Sequence, residues 1–254
     1  MAALLAGEST RGPIAAALAS ADVVVAFTRS EPALAALAPR TRRLVARDPT
    51  PPVGGPHASR WLAGALASLG IDSALEPPPL GFTDAEGRAA ERLTHELPDG
   101  FLAIQPGSGS HRKNWPLDRF FDAAGRIGAG QPWLLVLGPA EEDVAAPPGA
   151  RLARGLPLRT LGAVLARAGL FLGNDSGVTH LAAACGTKTL ALYGPTDPEQ
   201  WAPVGPVVPL RPRSGCLADL AVDEVVAAAL GRARISSPAS ERRLPSGFPR
   251  RSSG

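Results

Sequence analysis

Short runs of consecutive apolar residues alternate along this chain with longer stretches in which apolar residues recur every three or four positions. Asp22-Val-Val-Val-Ala-Phe27 predicts a buried strand, Glu31 to Ala38 a helix, and Arg43-Leu-Val-Ala46 a second short strand. Pro56 to Leu69 predicts an amphipathic helix closed by Gly70. Glu76-Pro-Pro-Pro79 then interrupts the pattern, because consecutive prolines hold the backbone extended. A helix from Thr83 to Leu97 leads into the strand Phe101-Leu-Ala-Ile-Gln105, and from there the alternation is regular. Helix Leu117 to Ile127 precedes strand Trp133 to Leu137, helix Leu158 to Ala168 precedes strand Leu170 to Leu172, and helix Val178 to Ala184 precedes strand Leu190 to Tyr193. A last helix runs from Val222 to Leu230. Strands that are continuously apolar and alternate with helices define an α/β protein whose parallel sheet is covered on both faces. No internal repeat is visible.

Composition sharpens this picture in a few places. At 254 residues the chain has room for one large domain or two small ones. Hydrophobic residues make up 45% and aromatics only 5%, so the core is built mainly from Ala, Leu and Val. The net charge of +3 would hint at nucleic acid, yet the last twenty residues alone hold Arg242, Arg243, Arg250 and Arg251 against Glu241. That tail accounts for the whole excess; the body carries no basic stripe, and nucleic acid is not an expected partner. The tail itself, rich in Ser, Pro and Arg and without periodicity, is expected to be disordered and dispensable for the fold. Cys185 and Cys216 have no metal-binding spacing, so no structural zinc is expected, and two free thiols suit a reducing cytosol. No run approaches the ~20 apolar residues of a membrane span. The Ala-rich opening has Glu8 where a signal peptide is apolar, and it reads as ordinary helix.

In an open parallel sheet, ligands bind outside the carboxyl ends of the strands. Three predicted turns there carry chemistry. In Gln105-Pro-Gly-Ser-Gly-Ser-His-Arg-Lys-Asn-Trp-Pro116, the glycines let backbone N–H groups approach a ligand, the serines add hydroxyls, and Lys113 adds a point charge suited to phosphate. Lys113 is one of only two lysines, with Lys188. As a loop residue it is expected to matter for ligand and not for folding. In Leu137-Gly-Pro-Ala-Glu-Glu142, a carboxylate just past a strand is suited to ribose hydroxyls. In Gly173-Asn-Asp-Ser-Gly-Val-Thr-His180, a helix start offers free N–H groups and partial positive charge to an anion. Ser176 can cap that helix, Gly177 leaves room for a phosphate, and His180 lies one turn on, on the same face. Asp175 would repel an anion, so it is expected to brace the loop through backbone N–H groups or to take a sugar hydroxyl. Each turn alone is better read as a well-capped or solvated loop; three on one edge shift the balance towards a ligand site.

The motifs Pro106-Gly-Ser-Gly109 with Lys113-Asn-Trp-Pro116, Gly138-Pro-Ala-Glu141, Asn174-Asp-Ser-Gly-Val-Thr-His180-Leu-Ala-Ala-Ala184, and Tyr193-Gly-Pro-Thr-Asp-Pro198 with Trp201-Ala-Pro203 resemble those of glycosyltransferase family nine. That family includes the ADP-heptose:lipopolysaccharide heptosyltransferases. The likeness spans residues 101 to 205 in order and approximate spacing, and Cys216 with the following helix also fits. It implies a GT-B fold, two Rossmann-like domains facing a cleft. Residues 1–80 would form an incomplete N-terminal acceptor-side domain, 81–98 a linker helix, 99–234 the nucleotide-sugar-binding domain, and 235–254 a basic tail. Ser108, Gly109, Lys113, Glu141, Asp175, Ser176, Gly177 and His180 would be donor-site residues, with Gly109 where relatives carry a hydroxyl.

The resemblance implies metal-independent transfer of a sugar, with ADP-heptose the expected donor and lipopolysaccharide core or a similar envelope glycolipid the acceptor. Lys113 and the helix start would stabilise the leaving diphosphate. No cofactor is expected. The setting would be cytoplasmic, with peripheral contact at the inner face of the membrane. The family also implies an opening strand and a Gly-Asp turn whose Asp is the general base. This sequence opens MAALLAGEST, where Gly7-Glu8 follows no buried strand, so the base is expected to be absent and transfer by residues 1–254 slow. A non-catalytic remnant that binds a nucleotide-sugar is the alternative, and a sugar-nucleotide epimerase of similar architecture fits the Lys113 and Asp175 motifs less well.

Overall fold

The computed structural model describes residues 13–72, 80–138, 141 and 143–233. The expectations for the opening residues with Glu8, for Glu76-Pro-Pro-Pro79 and for the tail from 235 lie outside these.

The first part is a small α/β unit. Helix α1 (Pro13–Ser20) leads to β1 (Val23–Phe27), α2 (Glu31–Leu37), β2 (Arg43–Arg47) and α3 (Ala58–Ala67). Ser30 caps α2 by accepting from Ala33 N, and His57 caps α3 by accepting from Ser59 N. Strands β1 and β2 pair in parallel, from Val23 opposite Arg43 to Phe27 opposite Arg47. Trp61 of α3 anchors to β2: its Nε1 donates to Asp48 O at 2.7 Å, and the Arg47 guanidinium lies 3.6 Å from the ring centre. The apolar run at β1 predicted a buried strand, but Val23 is 40% and Phe27 48% exposed. The reason is that β1 has a single neighbour, so one edge and part of its faces lack cover among the described residues.

The second part is a six-stranded parallel sheet in the order β5-β4-β3-β6-β7-β8. Its elements are α4 (Asp84–Thr94), β3 (Leu102–Gln105), α5 (Leu117–Gly128), β4 (Trp133–Leu137), β5 (Ala150–Arg154), α6 (Leu158–Leu165), β6 (Leu170–Asn174), α7 (Gly177–Ala184), β7 (Thr189–Leu192), α8 (Pro198–Trp201), β8 (Val207–Leu210) and α9 (Val222–Ala233). Alternate strand residues feed two cores. Leu102, Ile104, Leu135 and Leu172 pack with Trp115, Phe120 and Val225 on the face covered by α5 and α9. Ala103, Leu134, Val136 and Phe171 pack with Ala90, Leu161, Val164 and Ala182 under α4, α6 and α7. Burial on both faces is why these strands read as unbroken apolar runs.

Two strands escaped the sequence pattern. Strand β5 reads Ala-Arg-Leu-Ala-Arg, and β8 reads Val-Val-Pro-Leu with Pro209 inside it. Both are edge strands, where arginine reaches water and a proline sacrifices no ladder bond on the open side. Helix α8 forms in the segment after β7, for which the sequence predicted no element, capped by Asp197 accepting from Glu199 N.

Helix α4 starts at a full capping box, Thr83 with Glu86, and the same Glu86 carboxylate binds Arg159 of α6. Arg159, and next the Thr83 backbone N–H, hold the Glu86 carboxyl down to about 2. A depressed carboxyl adds stability above its unfolded value and loses it as pH falls through the folded one. Glu86→Gln keeps the cap acceptor, so its melting temperature should approach that of the native chain as pH falls from 4.5 towards 2. Parallel acid melting curves for the two proteins would contradict this coupling.

Candidate functional site

Numbered within the larger sheet, the strand order is 3-2-1-4-5-6, so the crossovers leave in opposite directions between β3 and β6. The carboxyl ends of these two strands therefore open a crevice. Each ends in a buried amide. Asn174, fully buried, donates through Nδ2 to Pro106 O and accepts at Oδ1 from Trp115 N at 3.1 Å. Gln105 accepts at Oε1 from Ser176 Oγ at 2.8 Å. A buried amide left unpaired is costly, so these bonds determine where both loops lie.

The loop after β3 is thus clamped at Pro106 and Trp115 and arches between them. Ser108 Oγ lies 2.6 Å from Asn114 Oδ1 and accepts from Ser110 N, which makes it an internal brace of the arch. A 3₁₀ turn at His111–Lys113 carries the lysine back over β6. There Lys113 Nζ donates to Asp175 Oδ2 at 2.7 Å, the lysine side chain 35% and the aspartate 9% exposed. This differs from the sequence expectation on both sides. Asp175 braces the loop through a cation and not through backbone N–H groups, and Lys113 is a structural partner of a buried charge as well as a loop lysine.

Ser176 caps α7 as expected, accepting from Thr179 N, and Thr179 Oγ1 donates to Asn174 O. A side chain at Gly109 or Gly177 would meet nothing within 4 Å, so both positions face open space at the mouth of the crevice. His180 lies exposed on α7, but the cleft walls desolvate its ring and lower its pKa; Asp175 opposes this, while His57 and Lys113 add to it.

Glu141 reaches across from the β4 turn. Its Oε2 accepts from Gly138 N at 2.7 Å, and its carboxylate occupies the space beside Gly107, where an added Cβ would lie 1.9 Å from Oε1. Beside it is a hollow of about 550 Å³ with Ser108 and Glu141 on its polar side and Leu117, Val144 and Ala218 on its apolar side. A second hollow, about 390 Å³, lies at the opposite ends of the strands between Phe101, Ile127 and Leu170. The predicted residues Ser108, Gly109, Lys113, Glu141, Asp175, Ser176, Gly177 and His180 all fall at the carboxyl edge. Lys113 with Asp175 are in contact, and Glu141 stands off on the β4 side. Among the described residues no three His, Cys, Asp or Glu side chains converge as a metal-binding group.

Sequence reasoning missed several participants. Gln105 and Asn174 were visible as polar residues ending apolar strands, the usual mark of a buried amide with a task. Gly107 had no such signal, since its role is to leave room for a side chain from another turn. His57 belongs to the small unit, yet its Nε2 lies 2.8 Å from Ala202 O, and Gln200 Nε2 donates to Pro52 O at 2.7 Å. The small unit is thereby held against the segment that follows β7.

A doubly wound parallel sheet with a helix start at its switch point and a hollow beside the β3 and β4 turns is an α/β architecture of the Rossmann-like kind. The chain belongs to glycosyltransferase family 9 (heptosyltransferase), whose family model matches residues 18–214. It is 29% identical over 165 residues to lipopolysaccharide heptosyltransferase 3 of Escherichia coli, covering 60% of this chain and 48% of that protein. The chain thus spans about half the length of the curated relatives it matches. Among solved structures, a family 9 glycosyl transferase of Veillonella parvula superposes with TM-score 0.71 at 21% identity, covering 85% of this chain and 74% of that one. The E. coli ADP-heptose lipopolysaccharide heptosyltransferase II gives 0.64 at 18% identity, with 84% and 77% covered. E. coli heptosyltransferase WaaC with ADP gives 0.59 at 20%, with 80% and 70% covered. These likenesses establish the GT-B-like α/β fold. No helix among the described residues is long and apolar enough to cross a membrane.

Gly107→Ala should fold with little loss of stability, because the clashing atoms are the mobile end of Glu141. Its Glu141 carboxylate should leave Gly138 N, visible in a crystal structure of the variant. An unmoved Glu141 would show that the two turns are not sterically coupled.

Proposed function

We propose that this protein transfers a sugar, heptose in the first instance, from an ADP-sugar to a lipopolysaccharide core or similar envelope glycolipid without a metal ion. In this reading residues 99–234 hold the donor, residues 1–80 face the acceptor, and 81–98 join them. The observation that carries it is the Lys113–Asp175 pair lying across the switch point beside the start of α7. A part-exposed ammonium, a helix start and two open glycines lie at the same edge of the sheet, which suits a diphosphate. Ser176 and Gly177 would present N–H groups, His180 a ring N–H, and the Ser108–Gly109 arch its backbone. The nucleoside would lie in the hollow along Leu117 and Val144, with Glu141 accepting from ribose hydroxyls.

Transfer follows from this placement. An acceptor hydroxyl attacks the anomeric carbon, the bond from that carbon to the phosphate oxygen breaks, and the diphosphate leaves with both electrons. Lys113 and the α7 start stabilise the charge that develops, a role in which prealigned donors contribute most. The hydroxyl proton passes to a general base. Support for the substrate class comes from relatives: WaaC has been solved with ADP and with ADP-2-deoxy-2-fluoro heptose. The setting we propose is the cytoplasmic face of the inner membrane, where the four tail arginines would add ~1 kcal/mol each in attraction to anionic lipid.

Calorimetry should show ADP binding in excess EDTA, and the release of ADP from ADP-heptose with a lipopolysaccharide-core acceptor, slow in residues 1–254 where the base is expected to be absent, should be no slower there. An absolute need for magnesium or manganese would overturn the metal-free mechanism; binding without transfer would reduce the protein to a nucleotide-sugar binder.

Lys113→Ala should weaken ADP by about 1.5–3 kcal/mol, the range for hydrogen bonds to charged groups, and leave adenosine nearly unchanged. It should also lower the melting temperature, because Asp175 is left buried without its cation. Unaltered ADP affinity in a destabilised variant would assign Lys113 to structure alone.

A further inference from the structure

At the end of the strand next to the one that carries Asp175 lies a hydroxyl that no bond among the described residues accounts for. Tyr193 follows the last residue of β7 and is fully buried, its N–H held by Leu210 O, yet its phenol OH has no hydrogen-bond partner among the described residues. Three residues on, in the same turn, Thr196 Oγ1 is also buried and unpaired. Most buried hydroxyls find a partner, so an unpaired one calls for a physical account. Strand β7 is the neighbour of β6, and Asp175 N donates to Leu192 O, so the Tyr193 backbone adjoins that of Asp175. The phenol feels the aspartate: burial, and next the Asp175 charge, push its pKa well above the usual value.

The free protein thus holds two groups with conflicting needs. Asp175 is 9% exposed, and Lys113 is the partner of its carboxylate among the described residues. Tyr193 has a proton to donate and nothing to receive it. If Lys113 swings to a diphosphate, the aspartate becomes a buried charge without its counter-ion, which opposes binding. We propose that Tyr193 is a positioning residue that donates its hydroxyl proton in a hydrogen bond to Asp175 when a diphosphate draws Lys113 away, so that ligand binding exchanges one partner of the aspartate for another.

The exchange removes the orphan donor and the orphan charge together, and no bond to hydrogen breaks. The exchange asks for a rotation of the phenol O–H and a turn of the carboxylate, with the Tyr193 ring already buried. Lys113 is then free to act as a cation for the ligand, and Asp175 stays in place at the head of α7. The inference rests on the diphosphate reading of this site.

The test uses ADP, inorganic pyrophosphate and adenosine as probes. Tyr193→Phe keeps the packing and removes the hydroxyl. It should weaken ADP and pyrophosphate by about ten-fold, the effect of one hydrogen bond to a charged group, with adenosine unchanged. In an Asp175→Asn background the same substitution should have almost no effect, since no buried charge awaits a partner. Tyr193 is the only tyrosine in the chain, so tyrosine labelled with ¹³C at Cζ gives a single NMR signal in the native protein. That signal should shift on adding ADP and much less on adding adenosine. The shift remains readable even if Tyr193→Phe folds poorly.

An unmoved Cζ signal at saturating ADP would overturn the proposal, as would equal losses for ADP and adenosine, or the same loss in the Asp175→Asn background. Native protein that binds neither ADP nor pyrophosphate would remove the diphosphate reading as well. Binding by the native chain with no loss in Tyr193→Phe would remove the partner exchange alone.

Discussion

The site depends on one buried side chain, the Asn174 amide. It ends β6 with no exposure to solvent, and inside a protein an amide that loses water must find partners among its neighbours. It finds them at both ends of the loop that leaves β3, at Pro106 O and Trp115 N. The loop is therefore pinned at two points nine residues apart in sequence and must bulge between them. Everything chemically useful on that loop, from Gly107 to Lys113, projects over the crevice because its two ends are tied down. Trp115, itself buried and bonded through Nε1 to Leu220 O, carries the same constraint into the core.

Around that fixed frame the charges are arranged with reserve. Lys113 and Asp175 neutralise one another at 2.7 Å, one partner near water and the other under cover. Such a pair adds little net stability, but losing either member is costly, so it acts as a latch more than as a brace. Its position beside the start of α7 means that an incoming anion competes with Asp175 for the lysine. Glu141 solves a different problem. Its carboxylate needs a donor, which Gly138 N supplies, and a space, which the missing side chain of Gly107 supplies. Two turns on separate strands are matched through one absent methyl group.

The small unit bears on the site through few contacts. His57 accepts from Ser59 N at Nδ1, so Nε2 carries the proton and donates to Ala202 O. With Gln200 Nε2 on Pro52 O, this ties the first unit to the α8 turn that follows Tyr193. One side chain thus caps a helix in one unit and contacts the other, and it lies close enough to His180 to lower that ring's pKa.

The alternation of apolar runs and amphipathic stretches determined the fold class, the central strands and most helices, because strands buried on both faces and helices buried on one impose distinct periods on their residues. The Ser176 cap was equally legible, since a hydroxyl just before an apolar helix has one common use. Edge strands β5 and β8 were not, because a strand with water on one side has no need of an apolar run and tolerates Arg151, Arg154 and Pro209. The half-exposed β1 was misread for the converse reason: an apolar run states what a strand can bury, and its neighbours decide what it does bury. The chemistry divides in the same way. Residue types at the strand ends marked the crevice in the sequence, since helix starts, glycines and a rare lysine have local meaning. Which groups meet there was decided only by the tertiary structure. The contacts of Lys113 with Asp175 and of Glu141 with Gly107 join positions on different strands, and no local pattern encodes a distance between strands.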